Sequence, residues 1–334
     1  PLEPRFALIR RILTHADVVR FLGESQRVLQ RVPLNYYVSQ DSGDATRYIG
    51  TLSQGGLSMP DRDYYLKQDK TNAAFRKQHL AYIGQMLMLA GARSVAARAQ
   101  RIAFLETAIA AIQWSRVQNR DPIATYNRKT PAELATLAPS FDWAGFFQAA
   151  GVPAATVDVN QPTFVQAFAQ LLADTPVATW QAYLRWHLID TAAPYLSKAF
   201  VDADFDFSGR TLRGAKELRP RWKRAVDAVN GNLGEALGEL FVAKTFPPEA
   251  KAEMLNLVQN LLKSLKHRLQ NLEWMSEATK QEAMAKFATF TPKIGYPDRW
   301  RDYSTLEIKP QHYWHNVRAG IAFETKRQFA QIGR

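Results

Sequence analysis

Residues 54–66 read Gln54-Gly55-Gly56-Leu57-Ser58-Met59-Pro60-Asp61-Arg62-Asp63-Tyr64-Tyr65-Leu66, and they divide a short strand-like region from a long run of helical patterns. Two adjacent glycines permit positive φ or close approach of another backbone, and Pro60 fixes its own φ while turning Met59 away from helix. The stretch is therefore an ordered turn. Asp61 and Asp63 read as local caps for backbone donors, because neighbouring turn positions do not set the separation that a glycosidase carboxylate pair requires. Gly55-Gly56 also lacks the downstream glycine and the strand-helix context of a phosphate loop.

Upstream of this turn, residues 6–30 read as one or two helices. Leu8, Ile9, Ile12 and Leu13 form one face, and Ala16, Val18, Val19, Phe21 and Leu22 resume it behind Thr14, a suitable cap. Residues 33–38, PLNYYV, are extended and rich in strand-favouring aromatics; 41–44, DSGD, is a turn, and 47–52, RYIGTL, a return strand. A lone strand pair is marginal in water, so this hairpin must pack on helices or complete a sheet with other chain.

Downstream, helix follows helix. Residues 73–90 carry Phe75, Leu80, Ile83, Leu87 and Ala90 on a broad face, with Met86, Met88 and Leu89 pointing to burial on more than one side and Gly91 as the C-cap. Residues 94–115 carry Ala99, Ile102, Ala103, Leu105, Ile109 and Ile112. Thr130-Pro131-Ala132-Glu133 has the form of a capping box, and Phe141, Trp143, Phe146 and Phe147 supply an aromatic core patch. The extended 156–159, TVDV, leads to helices over 162–172 and 175–193, the latter with Trp180, Leu184, His187 and Leu188 at helical spacing. Asp202, Asp204 and Asp206 alternate with Ala203, Phe205 and Phe207; without the central glycine and terminal glutamate of an EF-hand this reads as a polar loop before a helix.

From Lys216 the pattern is helical again, through Leu218, Trp222, Ala225, Val226 and Val229, with Gly234 and Gly238 placed to let another element pack closely. Residues 249–272 form the longest helix, its buried side expected at Met254, Leu255, Val258, Leu261, Leu262, Leu265 and Leu269. Ser276 or Thr279 caps a short helix through Ala288. Residues 294–300, IGYPDRW, form a rigid aromatic loop, and a last helix covers 311–331. The fold class expected is mainly α: a multi-helical lobe with a small β-hairpin or partial sheet near residues 34–52. The break between subregions falls at 209–214, dividing the chain into 1–209 and 210–334.

The 334 residues are 46% hydrophobic, 22% charged and 11% aromatic, enough to bury a substantial core and inconsistent with wholesale disorder. The net charge of +12 is scattered among acidic residues, so it reads as basic helix faces and not as a dedicated nucleic-acid surface. Without cysteine there is no disulfide and no thiolate chemistry. No run approaches the roughly 18 apolar residues of a membrane span. No basic region with an apolar signal segment follows Pro1, so a targeting peptide is absent or lies upstream.

The residues nominate no catalytic, cofactor-binding or metal-binding position. His312 and His315, three apart, share a helix face, but two histidines without a third ligand read as ordinary surface or satisfied side chains. His15, His79, His187 and His267 are dispersed in sequence. His-Glu-x-x-His, a P-loop, a dinucleotide fingerprint and a nucleophile elbow are all absent from the chain.

Taken together, the segments QGGLSMPDRDYYL (54–66), TYNRKTPAEL (125–134), RPRWKRAVDAV (219–229), NLGEALGELFV (232–242), MSEATKQEAMAKF (275–287) and IGYPDRW (294–300) carry further information. In order and spacing they resemble the helical region of neprilysin-like zinc metallopeptidases, the group of neprilysin, endothelin-converting enzymes and bacterial relatives. The resemblance runs through nearly the whole chain. It implies a peptidase with a catalytic lobe and a largely helical lobe around a substrate chamber. Zinc is held in that family by two histidines and a glutamate downstream of the region matched, so zinc is implied for the full-length enzyme and none is expected on this chain. The implied partners are peptide substrates and a zinc lobe in a continuation or another fragment, with no nucleic acid; the implied location is extracytoplasmic, periplasmic or secreted, a cytoplasmic one staying open. The alternative is a stand-alone helical binding or scaffold protein.

Overall fold

The computed structural model describes residues 1–28 and 30–334; Leu29, within the helical stretch expected over 6–30, lies outside them. The chain divides into two compact units, one of Pro1–Arg219 with Glu307–Arg334 and the other of Pro220–Leu306.

The first unit opens with α1 (Glu3–Arg10) and α2 (His15–Gln26). Thr14 and Asp17 cap α2 reciprocally, side chain to backbone in each direction, which meets two of the amide donors that a helix start leaves unpaired. The hairpin follows as β1 (Leu34–Asp41) and β2 (Asp44–Gln54), antiparallel, with Tyr36 opposite Leu52 and a register shift at Gln40/Asp41. It is part of a larger sheet. Among the described residues the strand order is β1-β2-β4-β3, where β3 (Arg128–Lys129) and β4 (Val157–Val159) are short. β4 runs parallel to β2 and antiparallel to β3, so the extended 157–159 segment completes the sheet that the hairpin alone could not stabilise. Beyond β4 the edge of β2 is met by residues 333 and 334: Tyr48 donates its amide to the Arg334 carbonyl at 2.9 Å and accepts from Gly333 at 3.0 Å.

The unit continues with α3 (Asp63–Leu66), α4 (Lys70–Leu89), α5 (Val95–Ile112), α6 (Pro131–Leu137), α7 (Trp143–Ala150), α8 (Pro162–Asp174), α9 (Val177–Ala192) and α10 (Lys198–Asp204), of which α6 packs on β3 and α3, α4, α5, α9 and α10 pack on one another. Thr130 and Glu133 form the expected capping box of α6. Trp180, Tyr183, Trp186, Phe146, Phe147, Phe164 and Phe168 are all buried completely or nearly so, and they are the largest fully buried side chains of a core otherwise filled by aliphatic residues.

Two readings of this region need correction. α4 buries one side only, through His79, Tyr82, Ile83, Met86 and Leu87, while Met88 is 64% exposed; its methionine-leucine run is not flanked by protein on both sides. The aspartates at 202, 204 and 206 are helical and not in a loop. α10 passes directly into a wider π-helical turn, Phe205–Thr211, and Lys198 and Arg210 pair with Asp202 and Asp206 four residues away.

The second unit holds α11 (Arg221–Thr245), α12 (Pro248–Gln270) and α13 (Glu277–Ala288). α11, at 25 residues, is longer than α12, at 23, which the sequence marks as the longest helix; α11 runs on through a kink at Leu233, whose φ of −131° departs from helix. The 294–300 loop is fixed by rings and charge: Trp300 stacks on Tyr296, Lys251 reaches the Tyr296 carbonyl at 2.9 Å, and Arg301 pairs with Glu235 at 2.6 Å. None of the residues of α11, α12 or α13 is fully buried. Met254, Leu261 and Leu265, expected on the buried side of α12, are instead 40–61% exposed, and Trp222 and Val226 of α11 are exposed as well. The glycine reading is half met, since Gly238 faces Trp300 and Gly234 meets only Asn230. The remaining helix, α14 (Tyr313–Phe329), belongs to the first unit, where Trp314 and Val317 are buried and Phe329 packs edge-on against Tyr36.

The 54–66 turn joins sheet to helices and its glycines are required by geometry. Gly56 has φ +87°, and a Cβ on it would lie 2.5 Å from the Tyr183 hydroxyl and 2.7 Å from Pro33 Cα. Gly91 has a similar φ of +70° but open space around it. Gly91→Ala is expected to cost about 1–2 kcal/mol, the left-handed backbone penalty alone, and Gly56→Ala at least about 2 kcal/mol more from the clash. Urea midpoints of the two variants measure the difference; equal losses would show that the turn is not closely packed.

Candidate functional site

Helix α5 presents Ile102, Leu105 and Ile109 to the core, and Glu106 falls inside that same stripe. Its carboxylate is completely buried. Such a charge is tolerated only where donors replace the lost water. Ser58 Oγ donates to Oε1 at 2.6 Å, Trp186 Nε1 to Oε1 at 3.0 Å, and Tyr65 OH to Oε2 at 2.5 Å. Two histidines complete the surround: Nε2 of His187 lies 3.0 Å from Oε1, without the alignment of a hydrogen bond, and Nε2 of His79 lies 3.7 Å from Oε2.

Each member comes from a different part of the first unit: Ser58 from the turn, Tyr65 from α3, His79 from α4, Glu106 from α5, and Trp186 and His187 from α9. The site and the turn are thus one construction. The Tyr65 hydroxyl that donates to Glu106 accepts from the amides of Ser58 and Met59 at 3.1 and 3.0 Å. Tyr183 OH donates to the Gly56 carbonyl at 2.7 Å, Gln113 to the Gly55 carbonyl at 2.7 Å, and the Gly55 amide to the Pro33 carbonyl at 2.7 Å. The irregular backbone between β2 and α3 is therefore held at Gly55, Gly56, Ser58 and Met59 by side chains and backbone from elsewhere in the unit. Phe207, from the π-helical turn, stacks on His79 at 5.3 Å and on Tyr82 at 4.8 Å and closes that side. Tyr82 in turn donates to Asp190 at 2.8 Å, which pairs with Arg31 at 2.7 Å.

Burial alone would raise the Glu106 carboxyl, but the His79 ring, the close approach of His187 and the Ser58 hydrogen bond together outweigh it and hold the group well below the usual carboxylate range. Burial and the neighbouring Glu106 charge push the Tyr65 phenol well above 10, so it stays a donor. Burial lowers the His79 ring below 6.5 despite the attraction of Glu106.

Chemically the cluster is closed. Glu106, His79 and His187 are at most 2% exposed, and the carboxylate oxygens already accept from four protein donors, the Ser58 amide at 3.4 Å being the fourth. Zinc needs several nitrogen or oxygen ligands converging at about 2.0–2.2 Å, and although His79 Nε2 and both His187 ring nitrogens have no hydrogen-bond partner, the Glu106 oxygens between them are already engaged by protein donors. Among the described residues no group of three or more His, Asp and Glu is placed to hold a metal ion. The arrangement is an internal electrostatic anchor.

Other nominated positions lie apart from it. His312 and His315 sit exposed at the start of α14. Asp61 accepts from the Asp63 amide at 2.7 Å and pairs with Arg116, and Asp63 pairs with Lys67, so both serve the turn locally. His15 reaches the Thr175 carbonyl, and His267 lies beside Asn271. The meeting of His79 with His187 was invisible in sequence, where 108 residues separate them (187 − 79). The available signal was Glu106 itself, a charge inside the apolar stripe of α5.

Three comparisons bear on this arrangement. Residues 1–297 match the amino-terminal model of peptidase family M13. The chain is 31% identical over 282 residues to endothelin-converting enzyme 1 of Cavia porcellus, covering 81% of this chain and 37% of that protein. It is similar over its whole length to the zinc metalloprotease ZMP1 of Mycobacterium tuberculosis, in its open state (38% identity, TM-score 0.91, 52% of that chain) and in complex with an inhibitor (37%, 0.91, 51%). The chain thus spans between about a third and a half of the length of these relatives.

Glu106→Gln keeps the shape of the side chain but removes its charge and turns an amide NH2 towards groups that donate to the carboxylate, so it is expected to cost about 2–3 kcal/mol at neutral pH, as for buried hydrogen bonds to a charged group. Because the folded Glu106 carboxyl lies below its unfolded value of 4.5, its contribution is complete above that pH and is lost as pH falls from there towards the folded value. The variant should show a shallower acid limb of stability below about pH 4.5. Urea midpoints from pH 3 to 8 test this; an unchanged acid limb would remove Glu106 from the role assigned.

Proposed function

The chain belongs to peptidase family M13 and corresponds to its amino-terminal helical region; from that premise we propose that it forms a wall of the substrate chamber of a zinc metalloendopeptidase. The observation that carries the reading is the family match over residues 1–297, together with the absence of His-Glu-x-x-His from the sequence. In this reading the peptide bond is cleaved on a separate zinc-bearing lobe; residues 1–209, with the small hairpin, are the first part of the chamber lobe, and residues 210–334 are a second helical part leading toward the zinc lobe. The substrates are peptides, and the location is extracytoplasmic, in the periplasm or secreted. Among the described residues no helix is long and apolar enough to cross a membrane.

The chain's contribution would be physical and not covalent. A helical wall restricts entry to small or extended peptides, holds them in a reactive orientation and keeps bulk water from the reacting bond. Such a wall must be stiff, and the Glu106 anchor supplies stiffness by tying the turn, α3, α4, α5 and α9 to one buried charge. When bound on its own lobe, zinc would polarise the peptide carbonyl and activate water.

The test compares this chain with the same polypeptide extended to the length of the M13 relatives, assaying hydrolysis of a quenched fluorescent peptide and metal content by mass spectrometry. The extended protein should cleave the peptide and hold one zinc per chain, and a chelator should abolish cleavage. This chain alone should do neither. Cleavage by this chain, or a zinc-free extended protein of undiminished activity, would overturn the proposal.

A further inference from the structure

We propose that the Glu106 cluster is a pH-sensitive latch: a proton taken up by His79 moves a carboxylate hydrogen bond from the 54–66 turn to the imidazole and loosens the turn. The surroundings of Oε2 carry this inference. An ionised carboxylate has about four lone-pair sites, and four protein donors already occupy those of Glu106. Ser58 Oγ and Trp186 Nε1 donate to Oε1, and Tyr65 OH and the Ser58 amide to Oε2. His79 Nε2 stands 3.7 Å from Oε2 and has no hydrogen-bond partner. Once protonated it is a charged donor, and a shift of about 0.8 Å (3.7 − 2.9) brings it to hydrogen-bond distance. A fifth donor on a filled carboxylate must displace one of the four. Both donors on Oε2 support the turn: the Ser58 amide is part of it, and Tyr65 OH accepts from the amides of Ser58 and Met59. Whichever is displaced, the turn loses a tie.

The protonated ring has no way out to water. Phe207 stacks on it at 5.3 Å, and Tyr65 and Trp186 meet it edge-on at 6.0 and 6.2 Å. The titratable and charged groups around it come from each element packed there: Tyr65 from α3, Tyr82 on α4 itself, Glu106 from α5, His187 and Asp190 from α9, and Arg31 ahead of β1, with Asp204 of α10 acting on Tyr82. Burial opposes the imidazolium most; Glu106 and Asp190 favour it, and His187 and Arg31 oppose it, so the ring lies below 6.5. An opened state therefore binds the proton more readily than the closed one. The contribution of His79 to closure is complete above pH 6.5 and is lost as pH falls from there towards the folded value. That window opens about two pH units above the one in which Glu106 itself takes up a proton (6.5 − 4.5). The latch stands apart from the functional reading; its consequence there, a chamber wall that softens in acid, rests on that reading.

Amide hydrogen exchange of this chain at pH 7.5 and pH 5 tests the latch, resolved to single residues by fragmentation in the mass spectrometer, with each rate divided by the intrinsic rate at its pH. We expect protection of the Ser58 and Met59 amides to fall about tenfold at pH 5, within the roughly thirtyfold that one proton can supply over the 1.5 pH units below 6.5. The hairpin amides of residues 50–52 should keep their protection. His79→Gln, which cannot titrate, should protect Ser58 and Met59 equally at both pH values. Tyr65→Phe, which keeps the ring and removes the hydroxyl, should leave both amides poorly protected at either pH. Unchanged protection in the wild-type chain would overturn the proposal without recourse to a variant. So would loss of turn and hairpin protection together, which is global unfolding, a pH response retained by His79→Gln, or full protection in Tyr65→Phe. None of these readouts involves peptide cleavage, so the proposed activity stands or falls separately.

Discussion

A single buried carboxylate orders the first unit. Glu106 is inaccessible to water, and removing an ion from water costs several kcal/mol unless protein groups replace its hydration. The replacements come from separate places along the chain, and each must be positioned to within a few tenths of an ångström for its hydrogen bond to form. The anchor therefore works as a constraint on geometry more than as a source of net stability. A turn without regular hydrogen bonding is held because Tyr65 serves it in two directions, donating to the carboxylate and accepting from the amides of Ser58 and Met59.

Much of this fold can be read from residue order. The caps at Thr14 and Thr130, the hairpin, the glycine turn and the aromatic cores of α7 and α9 follow from local physics and stand where that physics puts them. Local periodicity failed where burial depends on what lies opposite. Met88 of α4 and Met254, Leu261 and Leu265 of α12 have the hydropathy of core residues and are exposed, because a sequence period shows that a face is apolar without showing what covers it. The aspartates at 202–206 were misread for a related reason. Their polarity fits a loop, but i,i+4 pairing with Lys198 and Arg210 satisfies two of them on a helix.

The anchor itself was illegible except through one residue. Histidines 79 and 187 meet only because α4, α5 and α9 pack together, and nothing near either histidine encodes that. Glu106 did carry a local signal, since a carboxylate among Ile102, Leu105 and Ile109 must find buried partners or break the stripe. The family to which the chain belongs became recognisable from several short segments in sequence, but the absence of a metal-binding cluster among the described residues required the fold.

The closing of the β2 edge by Gly333 and Arg334 sets a timetable for synthesis. Tyr48 and Arg334 are 286 residues apart (334 − 48). At about 5–20 residues per second, a nascent chain carries that strand edge unpaired for roughly 14–57 s before its partner is made. Through that interval the whole of the second unit is synthesised. The first unit, though begun earlier, can close its sheet only afterwards.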